Sequence, residues 1–291
     1  MPALITDKVG KNYVLFSTLI SAGVIFMILL MLLIYSWEAI TQNGWQLFTT
    51  VWNPPAGQFG IASMLYGTVA VTVIAVALAV PIGLMSAIMI SEILPGRYRV
   101  MVKSLLELLA GIPSIIYGLI GVAFFSLWIG NIFELDTGRT ILTGGILLAI
   151  MILPIIITLS EDAIHNVPDI YREAAFGLGL YRHEVIFSTL LPIARADIAG
   201  AVLLGLGRAM GETMAVMLVI GSIDRIPSPV FNTLVPGQTI TSKLGREITE
   251  SAFGSVHFSS MIFMGLMLLI IVLGITLIAQ RFIKLRSRLY E

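Results

Sequence analysis

Residues 198–222 read IAGAVLLGLGRAMGETMAVMLVIGS. Apart from Arg208 and Glu212 the stretch is uncharged. It is long enough to cross a hydrocarbon core, which takes about 20 residues of helix. This decides the fold class: a membrane helix with a guanidinium and a carboxylate set inside it. Arg208 lies about 20 Å of helix beyond Arg195 at roughly 1.5 Å per residue, too far to snorkel easily to either surface. An Arg at mid-membrane costs roughly 2.5–3.5 kcal/mol on insertion scales, so its side chain is expected at a polar cavity or in the bundle interior. On a continuous helix Arg208 and Glu212 share one face. A guanidinium fork suits a tetrahedral oxyanion. The carboxylate, a pure acceptor, suits a protonated anion such as hydrogen phosphate and repels fully deprotonated sulfate. Thr213 adds a hydroxyl. The competing readings are an interhelical ion pair that fixes packing and, for Thr213, a back-bond to its own helix.

Composition extends the membrane reading to the whole chain. Of 291 residues 57% are apolar and 12% charged, against about 45–50% and about 25% in soluble domains. Mean hydropathy is +0.98. The 17 basic and 17 acidic residues cancel, which argues against a nucleic-acid partner. With no cysteine there are no disulfides, thiol nucleophiles or Cys-ligated metals. Five further spans are expected at Val14–Ser36, Met64–Ile90, Leu105–Ile129, Ile141–Ser160 and Phe258–Gln280, giving an all-α membrane protein of six helices. The first is too long for a cleaved signal peptide and is followed by Trp37 and Glu38, so it reads as a retained anchor. Lys and Arg set the orientation: twelve fall on the side of both termini, and only Arg139, Arg225, Lys243 and Arg246 on the other. An N-in, C-in arrangement follows.

Residues 1–60 are expected to hold a cytoplasmic tail, the first span and an external interfacial segment anchored by Trp37, Trp45 and Trp52. Residues 61–280 form the transmembrane core, including a cytoplasmic loop at 161–195, and 281–291 a basic tail drawn to acidic lipid. A short helix is expected near Ile240–Glu250. Pro81, Pro113 and Pro154 fall inside spans as kinks, and Glu107 is expected to pair with Lys103. His165, His183 and His257 are scattered, with no His-Glu-x-x-His, so a zinc site is not supported. No Gly-x-x-x-x-Gly-Lys-[Ser/Thr] loop exists, the one Lys-Ser (Lys103-Ser104) lacking the glycines. The chain carries no ATP site of that kind, and no cofactor is expected. A membrane enzyme using Glu212 would need a nucleophile or metal beside it. An ion-coupled secondary transporter often shows inverted repeats. Neither signature is found.

The loop at 161–195 is longer than a bundle needs. Asn166-Val167-Pro168-Asp169 reads as a helix start. Gly177 and Gly179 end that helix, and a second piece, Tyr181–Leu190, is expected to stop at Pro192. Such a knob suits docking to another protein, with an ordinary amphipathic surface loop as the alternative.

Glu173-Ala174-Ala175, Gly179 and Leu191-Pro192 resemble the EAA loop of ABC importer permeases, Thr189 standing where that pattern has Ile. The resemblance implies a type I ABC importer permease bundle in a bacterial inner membrane, its loop seated in a cleft of an ATP-binding subunit. Gly111-Ile112-Pro113-Ser114-Ile115-Ile116-Tyr117-Gly118, Gly205 to Val216 and Pro236 to Ser242 are similar to phosphate-specific permeases of the PstC type, the likeness covering roughly 60–280. Arg-Ala-x-Gly-Glu is shared with sulfate and molybdate permeases, and Thr213-Met214-Ala215-Val216 favours phosphate. The implied partners are a second homologous permease, two ATP-binding subunits and an extracytoplasmic phosphate-binding protein. Arg208, Glu212 and Thr213 are the expected substrate pathway.

Overall fold

A helix that is apolar all round belongs in the middle of a bundle, and Ile141–His165 occupies that place. In the computed structural model, which describes the backbone of residues 2–287 and the side chains of residues 10–281, it is the most buried span. The basic tail expected at 281–291 lies, beyond Arg281, outside the described side chains. Chain order is α1 (Pro2–Asn43), β1 (Trp52–Asn53), β2 (Gln58–Phe59), α2 (Ala62–Ile88), α3 (Gly96–Ala110), α4 (Ser114–Ile120), α5 (Ser126–Ile132), α6 (Ile141–His165), α7 (Asp169–Gly177), α8 (Arg182–Glu184), α9 (Leu191–Gly211), α10 (Met214–Val219), α11 (Ile240–Glu247) and α12 (Val256–Ser287). Among the described residues six helical stretches are long and apolar enough to cross a membrane.

Small residues set the packing around α6. In a bilayer, close backbone approach replaces much of the hydrophobic drive between helices. A Cβ on Gly145 would lie 2.5 Å from Ile74 of α2, and one on Gly205 of α9 would lie 2.9 Å from Ile156. Ala75 and Ala79 of α2 are fully buried in the same core. Helix α1 stands at the periphery and docks on α12 through Ser36, Ala39, Ser259 and Ser260, all buried. Ser259 Oγ accepts from the Ala39 N–H at 2.9 Å and donates to the Tyr35 carbonyl at 2.6 Å, bridging one turn of α1.

Three expected boundaries move, each for a physical reason. Span three is not Leu105–Ile129 but Ser114–Ile132. Pro113 is the residue before a helix start, not a kink within one; its ring disfavours helical geometry at Ile112. What precedes it is the separate amphipathic α3. Pro192 does not end the loop helix: Arg182–Gly211 is continuous, with a π turn at Val185–Leu190 immediately before the proline. That wider turn accommodates the missing N–H and the ring, which a regular α-helix tolerates poorly. Span five is not one helix to Ser222: α9 stops at Gly211 and the short α10 follows at Met214–Val219.

Two side-chain expectations also change. Glu107 is exposed and Lys103 pairs elsewhere, with Glu161 at 3.3 Å and with Asp162. Trp52 is not a free interfacial anchor. It packs on Phe59 and His257, its Nε1 donates to Glu247 at 3.0 Å, and the Lys243 ammonium lies 5.2 Å from its ring centre. Trp37 and Trp45 remain exposed.

The charges left inside are compensated at both ends of α6. Glu161, 1% exposed, meets Arg99 at 2.6 Å and Lys103. Burial pulls the Lys103 ammonium down, but hydrogen bonds and charge from Asp162 and Glu161 outweigh it, and its pKa ends above the ordinary lysine value. A cation raised on folding adds stability that is complete below the ordinary lysine range and is lost only as pH climbs through the higher folded value. At the other end Lys243, 4% exposed, lies 2.5 Å from both Asp224 and Glu247. Removing one member of a buried pair costs about 3–5 kcal/mol, and the part-exposed cations put Glu161→Ala near 3 kcal/mol. It should lower the thermal unfolding midpoint of the purified protein, and Glu161→Gln should lower it less; an unchanged midpoint in both would show the cluster to be energetically idle.

Candidate translocation site and coupling loop

Arg208 and Glu212 do not share the face of one helix. Helix α9 ends at Gly211, Glu212 is extended (φ −70°, ψ 126°), and α10 begins at Met214. Among the described residues no ion pair joins Arg208 to Glu212. The Glu212 carboxylate instead accepts the Ala215 N–H at 3.3 Å at the start of α10. Its backbone carbonyl accepts the Thr241 hydroxyl at 2.7 Å. Thr213 Oγ1 donates to the Gly211 carbonyl at 3.4 Å, and its methyl group would lie 2.7 Å from a Cβ on Gly245.

The segment that holds this break is the stretch Pro236 to Ser242, which folds inward. Gln238, Thr239, Ile240, Thr241, Ser242 and Lys243 are all buried. The Ile240 N–H donates to Thr68 Oγ1 at 2.9 Å, and the bare Gly67 of α2 admits the Gln238 carbonyl, which would stand 2.0 Å from a Cβ there. Thr239 and Ser242 close a capping box at the head of α11. Thr241, which lies in the resembling Pro236–Ser242 stretch but was given no role there, and Gly245, which sequence reading did not single out, are therefore part of the site; their signal was the small and hydroxyl residues interleaved in Thr239–Gly245.

The three resembling stretches meet in space. Gly118 packs on α10, where a Cβ would lie 2.9 Å from Ala215 Cα. Tyr117 donates to the Leu109 carbonyl at 2.8 Å across the Pro113 break and lies within electrostatic range of Arg208. Within the single chain Arg208 is exposed, not interior. It lines a groove of about 1060 Å³ between α9 and α12, with Asp197, Gly207, Thr276, Gln280 and Arg281 among the lining residues.

The loop follows from helix-ending chemistry. Pro168 precedes α7. At its far end the Gly179 N–H bonds the Phe176 carbonyl (2.9 Å) and the Leu180 N–H bonds the Ala175 carbonyl (3.3 Å), a Schellman cap. Gly179 holds the left-handed φ of +82° that this cap needs. The spacing of Ala175 and Gly179 is thus that of the third-from-last helical residue and the cap. Ala175 is buried among Ile164, Val185 and Leu190. Glu173 and Ala174 are exposed, as are Ile170, Tyr171, Phe176, Leu178 and Tyr181. Leu191 is half-buried and Pro192 exposed on the continuing helix. Arg172 ties the loop to the bundle, donating to the Ile164 and Val167 carbonyls at 2.9 and 2.6 Å and to Glu92 at 3.0 Å.

A span broken over an open groove, with a capped helix–glycine–helix loop between spans four and five, defines the fold of an ABC importer permease. Two solved structures share it at 17% identity. One is the inward-facing MetNI methionine ABC transporter (TM-score 0.60, covering 77% of this chain and 94% of that one). The other is a bacterial ABC transporter for the acidic polysaccharide alginate (TM-score 0.61, covering 96% and 98%). Residues 79–288 match the family of binding-protein-dependent transport system inner membrane components, and the chain belongs to that family. It is a multi-pass inner-membrane transport subunit, and membership implies ATP-binding and substrate-binding partners. The phosphate transport system permease protein PstC of Mesorhizobium japonicum is 37% identical over 265 residues, 84% of this chain and 80% of that protein. The PstC of Haemophilus influenzae is 34% identical over 87% of this chain and 85% of its own length. The probable ABC transporter permease YqgH of Bacillus subtilis is 35% identical over 75% and 71%.

Thr241→Val removes the donor that satisfies the Glu212 carbonyl. A net hydrogen bond of about 1 kcal/mol corresponds to roughly fivefold faster amide exchange through local opening. Hydrogen exchange at residues 213–217 of the intact transporter should speed up by that factor, and unchanged exchange would remove Thr241 from the support of the break.

Proposed function

We propose that this chain is the permease subunit of an ATP-driven inorganic phosphate importer and forms half of its translocation pathway. The observation that carries the reading is the run Arg208–Val216, set at a break in a span and opposite Tyr117, in a chain whose relatives are named phosphate transport permeases. The complex would contain a second homologous permease, two separate ATP-binding subunits and an extracytoplasmic phosphate-binding protein. The Lys and Arg count supports both termini in the cytoplasm. In that orientation the capped loop around Glu173, Ala174, Ala175 and Gly179, with Leu191 and Pro192 behind it, meets the ATP-binding subunit. The exposed apolar patch of Ile170, Phe176, Leu178 and Tyr181 is the contact surface. Closure of the ATP-binding subunits pushes α7. Arg172 passes that push to the end of α6 and, through Glu92, to the end of α2.

Phosphate released by the binding protein descends past Glu212 and Thr213 to Arg208, which offers a transient site. The site must be weak, because an anion held tightly would not leave. Backbone outside helical geometry at membrane depth is tolerated only where protein buries it or where it lines a wet cavity, which favours a pathway at this break.

Arg208→Ala should bring phosphate uptake in vesicles to background while assembly and docking of the ATP-binding subunits stay intact; full uptake would reduce Arg208 to a packing role. Gly179→Asp places a charged L-residue in the left-handed cap, at a backbone cost of about 1–2 kcal/mol, beside the apolar contact surface. It should leave ATP hydrolysis running without import, and normal coupling would overturn the docking assignment.

A further inference from the structure

We infer that the chain carries a second oxyanion site, an entry pocket formed between Arg139 and Arg246. A cavity of about 380 Å³ is lined by Arg139, Met217, Leu218, Gly221, Ser222 and Arg246. Its volume falls in the range of small-ligand pockets, about 300–1,000 Å³. The two arginines come from separate parts of the chain, one just before α6 and one on α11. Both are exposed, and among the described residues neither pairs with a carboxylate. No acidic residue lines the cavity. Asp136 lines a neighbouring cleft that Arg139 also borders, without forming an ion pair to it.

The neighbouring lysine sharpens the contrast. Lys243, one turn before Arg246 on the same helix, is neutralised by both Asp224 and Glu247. A chain with equal numbers of acids and bases leaves these two guanidiniums uncompensated around one concavity. Two planar forks facing a shared hollow suit a tetrahedral oxyanion, and same-sign charge in a cleft raises the local concentration of the opposite ion. Ser222 holds a left-handed φ of +58°, which L-residues rarely adopt. It is fixed there because the Gly237 N–H bonds the Ile220 carbonyl (2.9 Å) and the Ile223 N–H bonds the Gly237 carbonyl (3.1 Å). This keeps Ser222 at the cavity wall.

The location gives the pocket a task. Arg246 follows Gly245, which packs against Thr213 and Met217. Met217 also lines the cavity, so the short α10 joins the pocket to the break at Glu212, the nearest lining residue lying five residues beyond Glu212, about 8 Å of helix at roughly 1.5 Å per residue. An anion held between Arg139 and Arg246 waits one step above the gap in span five. That role in transport rests on the phosphate-import reading; the binding itself does not.

The test is arginine labelling of the intact detergent-solubilised transporter with phenylglyoxal, read by peptide mass spectrometry, in inorganic phosphate against chloride at equal ionic strength. Labelling of Arg139 and Arg246 should slow together, roughly tenfold when phosphate stands at about ten times its dissociation constant. Exposed Arg225, outside the pocket, should react equally in both salts. Arg246→Gln should abolish the protection of Arg139, and Arg139→Gln that of Arg246. Equal rates in the two salts, or protection of one arginine that survives loss of the other, would overturn the shared pocket. So would protection seen only with the docked binding protein, which would mark a protein-docking face. Radiolabelled phosphate uptake by the wild-type transporter decides the import reading separately: protection without uptake keeps the pocket and sinks the importer, and uptake without protection does the reverse.

Discussion

A peptide backbone that leaves helical geometry inside a bilayer has no water to satisfy its amide and carbonyl groups, so protein must do it. That constraint organises this molecule. The fifth span stops at Gly211 and resumes at Met214. One exposed acceptor is met by Thr241 and one donor by the Glu212 carboxylate. Thr241 reaches that point only because the segment from Pro236 folds inward, and the segment fits only because Gly67 leaves room for the Gln238 carbonyl. The opposite wall closes because Gly118 lets α4 approach α10. Three distant stretches of sequence are thus tied to one interruption of one helix.

Glu212 shows how this changes the chemistry. On an unbroken helix it would sit beside Arg208 as a counter-charge. In the structure its carboxylate is turned to a backbone amide, and the guanidinium opens on a groove without it. Among the described residues Arg208 therefore has no ion pair, whereas Lys243 and the Arg99–Lys103 pair are each held by fixed carboxylates.

Much of this was legible in the sequence. Six apolar stretches gave six spans, because length and hydropathy respond to the same bilayer thickness. The Glu-Ala-Ala…Gly spacing encoded a helix and its cap, a local device that needs no tertiary knowledge. What escaped was non-local. Span three was misplaced because Leu105 to Ala110 is apolar enough to blur into a membrane run, while the decisive signal was the pair Ile112-Pro113. Periodicity put Arg208 and Glu212 on one face because Gly211 between them, a residue that can end a helix but is frequent in membrane spans, did not outweigh the apolar run. Their separation comes from the Pro236–Ser242 segment, which supplies the replacement hydrogen bond. Trp52 read as a membrane anchor because its partners, Glu247, His257 and Lys243, lie far along the chain.

The junction between α1 and α12 bears on how such a chain matures. The serine that bridges a turn of α1 is 220 residues downstream of the amide it accepts from, on α12. Until α12 has been made, the serine bridge that holds α1 against it cannot form. The capture of α1 is then a closing clasp, and a chain truncated before Ser259 would leave that clasp open.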